Sequence, residues 1–191
     1  DMTTGDYYYT ALLIIEILGI IFIFIPTMSA FMTGAPWVQT PMARVKKMLE
    51  LGKIKAGDRV YDLGCGDARL VHTAAKLYNA DAVGIELSPL VYARARVRNF
   101  FLRSKSKIWL RDFRHVDLKD ADAIFFYLLP DVLKKMRFKF EKELRPGTLV
   151  ISYAFSVEGW EPMYIEPKDP AKNLSRILVY QVQNSTKEKG A

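Results

Sequence analysis

Tyr61-Asp62-Leu63-Gly64-Cys65-Gly66-Asp67-Ala68-Arg69 constrains this 191-residue chain more than any other stretch. An apolar run carrying an acidic residue meets two glycines spaced G-x-G and passes directly into a helical pattern. Glycines there let the backbone turn sharply and lay its N–H groups against a bulky ligand. Glu86 follows Gly66 by 20 residues and closes a second strand-like run, Ala82-Val83-Gly84-Ile85. A carboxylate so placed can take both hydroxyls of a ribose. The combination predicts an α/β, Rossmann-like sheet with an adenosine-cofactor site at its strand ends.

The cofactor this turn suits is not a dinucleotide. A pyrophosphate site wants G-x-G-x-x-G at the helix N-terminus, and no third glycine follows Gly66. Asp62 and Asp67, on either side of the turn, would repel a diphosphate. They suit the positively charged amino-acid end of S-adenosylmethionine (SAM). Asp112, after a third strand-like run, is placed to accept from an adenine amino group, with Phe113 as an apolar wall. Cys65 reads as a small residue filling the turn, and a single cysteine excludes a disulfide framework. His72 and His115 are separate in sequence, and no metal is expected.

From Tyr7 to Met32 the chain is apolar for 26 residues, interrupted by Glu16 and softened near Pro26. A bilayer core needs about 20 residues of helix, and this run shows almost no polar face. A cleavable signal would carry a basic leading region, whereas all 28 basic residues lie from Arg44 onward. The expectation is a single-pass membrane helix with the body on the cytoplasmic side. The basic residues Arg94, Arg96, Arg98, Arg103, Lys105, Lys107, Arg111 and Arg114 would attract anionic headgroups. Nucleic acid is disfavoured, because no aromatic-interleaved basic groove accompanies them.

After a Gly/Pro-punctuated linker, helical periodicity covers 41–51. Strands are expected at 59–63, 82–85, 107–110, 123–127 and 149–153, alternating with helices at 68–77, 88–102 and 131–144. Ser88-Pro89 supplies a helix start. Such alternation gives a mostly parallel sheet with right-handed crossovers. Two closing strands, 163–166 and 177–182, have no helix between them and predict an antiparallel hairpin.

Several segments carry a family likeness: Pro36-Trp37-Val38-Gln39-Thr40-Pro41, Tyr127-Leu128-Leu129-Pro130-Asp131-Val132, Glu143-Leu144-Arg145-Pro146-Gly147-Thr148 and Gly159-Trp160-Glu161-Pro162. With the glycine turn, they resemble the small archaeal broad-specificity protein-lysine methyltransferases, class I SAM-dependent enzymes. Eukaryotic relatives of these modify the ATP synthase c-subunit and the adenine nucleotide translocase in mitochondria. The resemblance implies SAM contacts at Thr40, Gly64, Gly66, Glu86, Asp112 and Phe113, with Tyr127 beside the transferred methyl. Trp37, Asp62, Cys65 and Leu87 complete the candidate cofactor set, and Tyr127 and Tyr153 are the candidate catalytic residues. With the apolar run before it, the resemblance, which covers roughly 36–182, divides the chain into an anchor, 1–33, and a methyltransferase domain, 34–191. Ala68 stands where glycine is usual, which suits a helix already begun there. Ser152-Tyr153-Ala154-Phe155 replaces a Ser-His-acid-Phe pattern.

The segment Phe125-Phe126-Tyr127-Leu128-Leu129-Pro130 is not Asn-Pro-Pro-Tyr, which disfavours base-amine and glutamine acceptors. It lacks a carboxylate, which disfavours a metal-assisted catechol mechanism. Holding a lysine amine neutral at pH 7 costs about 4–5 kcal/mol. A desolvating channel of Tyr127, Tyr153 and Trp160 beside a sulfonium would lower that cost without a dedicated base. The partner expected is a protein, including a membrane protein. The rivals are methylation of a lipid or other amphiphile, and a non-catalytic SAM-binding scaffold.

Overall fold

The structure is a computed structural model that describes residues 4–32 and 39–183. Helix α1 spans Thr4–Met32 and α2 spans Met42–Leu51. The alternating body follows as β1 (Arg59–Leu63), α3 (Arg69–Tyr78), β2 (Asp81–Glu86), α4 (Pro89–Phe101), β3 (Lys107–Leu110), β4 (Ala123–Phe126), α5 (Pro130–Glu143) and β5 (Leu149–Tyr153). Strands β6 (Tyr164–Glu166) and β7 (Ile177–Gln181) close the chain.

One seven-stranded sheet has the order β3-β2-β1-β4-β5-β7-β6. β1 to β5 run parallel, and β7 lies antiparallel to both β5 and β6. The order reverses between β1 and β4, and ligands of open α/β sheets bind at such a switch point, beyond the strand C-termini. β1 and β4 are central, covered on both faces, and therefore almost wholly buried. Side-chain alternation divides the core. Val45, Met48, Leu49, Val71 and Ala74 of α2 and α3 fill one layer, and Leu133, Met136 and Phe140 of α5 fill the other.

Three local expectations change. α1 begins at Thr4 and continues through Pro26 without a break. Ser88 occupies the N-cap position of α4, yet its side chain makes no capping bond; the Glu86 carboxylate instead accepts from its backbone N–H at 2.9 Å. The third change, at Ala68, belongs to the site. The boundary expected between residues 33 and 34 lies outside the described residues, as does Trp37.

Candidate active site

Strand register alone gathers most of the candidate residues. Leu63 pairs with Ile85 on one side and with Phe126 on the other, and Phe126 pairs with Ser152. Glu86, Gly64, Tyr127 and Tyr153 therefore stand in a row along the C-terminal edge of four neighbouring strands. At roughly 4.8 Å per strand the row is about 15 Å long.

The turn after β1 is built on positive φ, +82° at Gly64 and +57° at Gly66. Gly64 and Cys65 both donate their N–H to the Ile85 carbonyl, at 2.9 and 3.0 Å. This ties the turn to β2. Gly66 N–H donates to Glu86 at 3.1 Å, so one carboxylate braces the glycine turn and the start of α4 together. Cys65 points its sulfur at Gly84, where any Cβ would sit 2.6 Å from it. Burial pushes the thiol's pKa up, which fits a packing role.

Ala68 is not yet helical. It holds φ 62°, ψ 19°, in the left-handed region, and α3 starts one residue later. The cause is local: its N–H closes a turn onto the Cys65 carbonyl, three residues back, at 2.9 Å. A helix beginning at Ala68 is thus corrected, and the site usual for glycine keeps glycine's conformation with an alanine in it.

The two aspartates beside the turn have different fates. Asp67 accepts two bonds from Arg69, both 2.8 Å, and one from Arg98 at 2.9 Å. These partners hold its pKa low despite an opposing burial effect that is the largest single influence. Arg69 also donates to the Thr40 carbonyl at 3.0 Å, which draws Thr40 to the turn. The Asp62 carboxyl has no hydrogen-bond partner among the described residues. Burial, with Glu86 and Asp67 nearby, pushes its pKa up to about 8. Burial also raises that of Glu86. A buried Asp62 carboxyl without a partner, with Glu86 and Asp67 close by at the glycine turn, fits a cationic ligand and disfavours an anionic one. Among the described residues no group of three or more His, Cys, Asp or Glu gathers to hold a metal.

Asp112 caps a short turn at Phe113–His115 and is gripped by the Arg114 guanidinium through both oxygens. Phe113 turns into the core layer under β1 and β2. Leu87 follows Glu86 and is half-buried.

The acceptor end is aromatic. Tyr127 meets Tyr153 edge-to-face at 5.0 Å and stacks on Phe155 at 6.1 Å. The Tyr153 hydroxyl accepts from Ser175 N–H at 3.1 Å, which fixes its ring. Trp160 does not join them. Its ring packs on Phe140 and Tyr180, and its indole N–H donates to Glu141 at 2.9 Å, over the α5 layer. Phe155 takes the place expected of it. The signal for Phe155 was its place in the Ser152-Tyr153-Ala154-Phe155 segment at the end of β5. Arg69 and Arg98 were also missed as the partners of Asp67.

A parallel sheet reversed after β1, with this turn and acid pair at its switch point, defines a class I SAM-dependent methyltransferase. The chain belongs to the ANTKMT methyltransferase domain family, whose sequence model matches residues 62–164. A protein-lysine N-methyltransferase of Saccharolobus islandicus is 38% identical over 156 residues, 80% of this chain and 97% of that protein. The mouse adenine nucleotide translocase lysine N-methyltransferase is 28% identical over 78% of this chain and 64% of its own length. Among solved structures, an RNA methyltransferase of Salinibacter ruber bound to S-adenosyl-L-homocysteine superposes with a TM-score of 0.73. It is 31% identical, covering 80% of this chain and 98% of that one. SAM is accordingly the cofactor.

Proposed function

We propose that this chain methylates lysine side chains of proteins and is held at a membrane by α1, with the domain at 34–191 on the cytoplasmic side. The observation that carries the acceptor is the 38% identity to a protein-lysine methyltransferase across almost all of that protein's length. The Tyr127–Tyr153–Phe155 cluster supports it physically.

When bound, SAM supplies an electrophilic methyl on a sulfonium. In this reading Gly64, Cys65 and Gly66 present the backbone turn, with Thr40 drawn beside it by Arg69. Glu86 takes the ribose hydroxyls on its remaining lone pairs. Asp62 faces the cationic amino-acid end, and Leu87, Asp112 and Phe113 border the adenine. Tyr127 lies over the transfer point, and Tyr153 and Phe155 hold its ring in place. Their apolar surfaces exclude water from an incoming amine and favour its neutral form. The rate then depends on alignment, and a small misplacement can cost about a hundredfold.

The membrane reading rests on α1. It is long and apolar enough to cross a bilayer by length and composition, and its apolar window is unburied. Lys and Arg begin only at Arg44, which favours the body on the inner side.

A single incubation with methyl-labelled SAM and a membrane extract, sorted into protein, RNA and lipid, tests the acceptor. Label in protein lysine, abolished by Glu86→Ala, is expected. The Salinibacter ruber likeness makes RNA the informative rival; label in RNA or lipid with unlabelled protein overturns the reading.

A further inference from the structure

Residues 87–111 carry seven Lys and Arg and no Asp or Glu. Helix α4 lies within this stretch, and its exposure pattern is inverted. Its buried residues are Ala95 and Asn99. Its long apolar side chains face outward: Val97 is 55% exposed, Phe100 79% and Phe101 78%. Spaced i, i+3 and i+4, the three form one stripe. A soluble surface helix turns such a stripe inward, and exposed apolar patches mark interaction sites.

Charge identifies what meets it. The Arg96, Arg103 and Lys105 side chains flank the stripe and make no ion pair or hydrogen bond among the described residues. An apolar stripe bordered by free cations matches a helix seated in an anionic bilayer interface. Position agrees, because α1 touches α4, so a bilayer entered by α1 is adjacent. RNA fits less well. Phe100 and Phe101 could stack bases, but Val97 and the neighbouring exposed Leu90 and Leu102 extend the stripe as aliphatic surface. Such surface suits acyl chains and offers bases no stacking face.

We propose that Val97, Phe100 and Phe101 form a membrane wedge, seated among the acyl chains of an acidic phospholipid surface while Arg96, Arg103 and Lys105 meet headgroup phosphates. The proposal rests on the reading of α1 as an anchor. It adds a second contact that sets the orientation of the catalytic domain. The wedge lies one helix length, about 20 Å, from the Glu86 end of α4, so it leaves the cofactor site untouched.

The test uses the full chain reconstituted into vesicles, labelled with a polarity-sensitive dye through Phe101→Cys or, separately, through Ile14→Cys in α1. Cys65 is buried and silent. In acidic phospholipid vesicles the dye at position 101 shifts to the blue and is quenched by doxyl lipid. The combined Arg96→Glu, Arg103→Glu and Lys105→Glu changes abolish that quenching, and zwitterionic vesicles give little of it. If position 101 stays aqueous while position 14 is quenched by lipid, the wedge is wrong and the anchor stands. If both stay aqueous, the anchor reading fails and takes the wedge with it. Shielding of position 101 by single-stranded RNA instead of lipid also overturns the proposal.

Discussion

Ala68 shows how a single residue can tolerate a conformation that favours glycine. Its left-handed φ costs about 1–2 kcal/mol. Glycine would remove that strain but add chain entropy of about 0.5–1 kcal/mol. It would also strip a fully buried methyl, worth about 0.8 kcal/mol. The effects nearly cancel, so Ala68→Gly changes stability by less than about 1 kcal/mol. Ala68→Val meets both a β-branched penalty at positive φ and overpacking, and loses at least about 2 kcal/mol. Urea unfolding of the purified variants measures both. Tyr127 poses a different question, because its hydroxyl has no partner among the described residues while its ring has two. Tyr127→Phe retains kcat within a few-fold, whereas Tyr127→Ala loses about a hundredfold. Equal losses in single-turnover assays would place the function in the hydroxyl instead.

Among elements, the joint between α3 and α4 matters most for the cofactor. Asp67 is buried and binds Arg69 from α3 and Arg98 from α4. Asp67→Asn keeps the shape but removes the charge facing two guanidinium groups, and loses about 2–3 kcal/mol. SAM affinity falls with it, as the turn between Gly66 and Arg69 loosens; calorimetry of the variant reads this directly. This joint was invisible in the sequence, since Arg98 lies 31 positions from Asp67 and only the sheet brings α4 alongside. Elements marked by their own punctuation were legible: the Gly64–Gly66 turn, Pro89 at the start of α4, and Pro146-Gly147 before β5. Strand register then made the row Glu86, Gly64, Tyr127, Tyr153 a direct consequence of the alternation. Trp160 was misplaced for the opposite reason. Its segment has no regular periodicity, and long-range contacts with Phe140 and Tyr180 decide where it folds.

At the scale of the whole molecule, an apolar helix of 29 residues stands beside a cationic catalytic body. If α1 spans the bilayer, the full chain stays with the membrane after high-salt and alkaline washes, whereas a purely electrostatic association is released by salt. The catalytic body itself depends on one physical claim, that the floor of the turn is acidic in order to receive a cation. Asp62 makes that claim measurable. With its pKa raised from 3.8 to about 8, the folded chain holds a proton that the unfolded chain releases. Stability without ligand therefore falls as pH rises from about 4 toward 8 and levels off above. A cation seated against Asp62 favours the ionised form, so SAM binding near pH 7 expels that proton, and affinity rises with pH across the same window. Calorimetry of SAM binding at pH 7 in two buffers of different ionisation enthalpy measures the proton directly. Net proton release that disappears in Asp62→Asn is the predicted result; SAM binding without proton release, unchanged by that substitution, would contradict it.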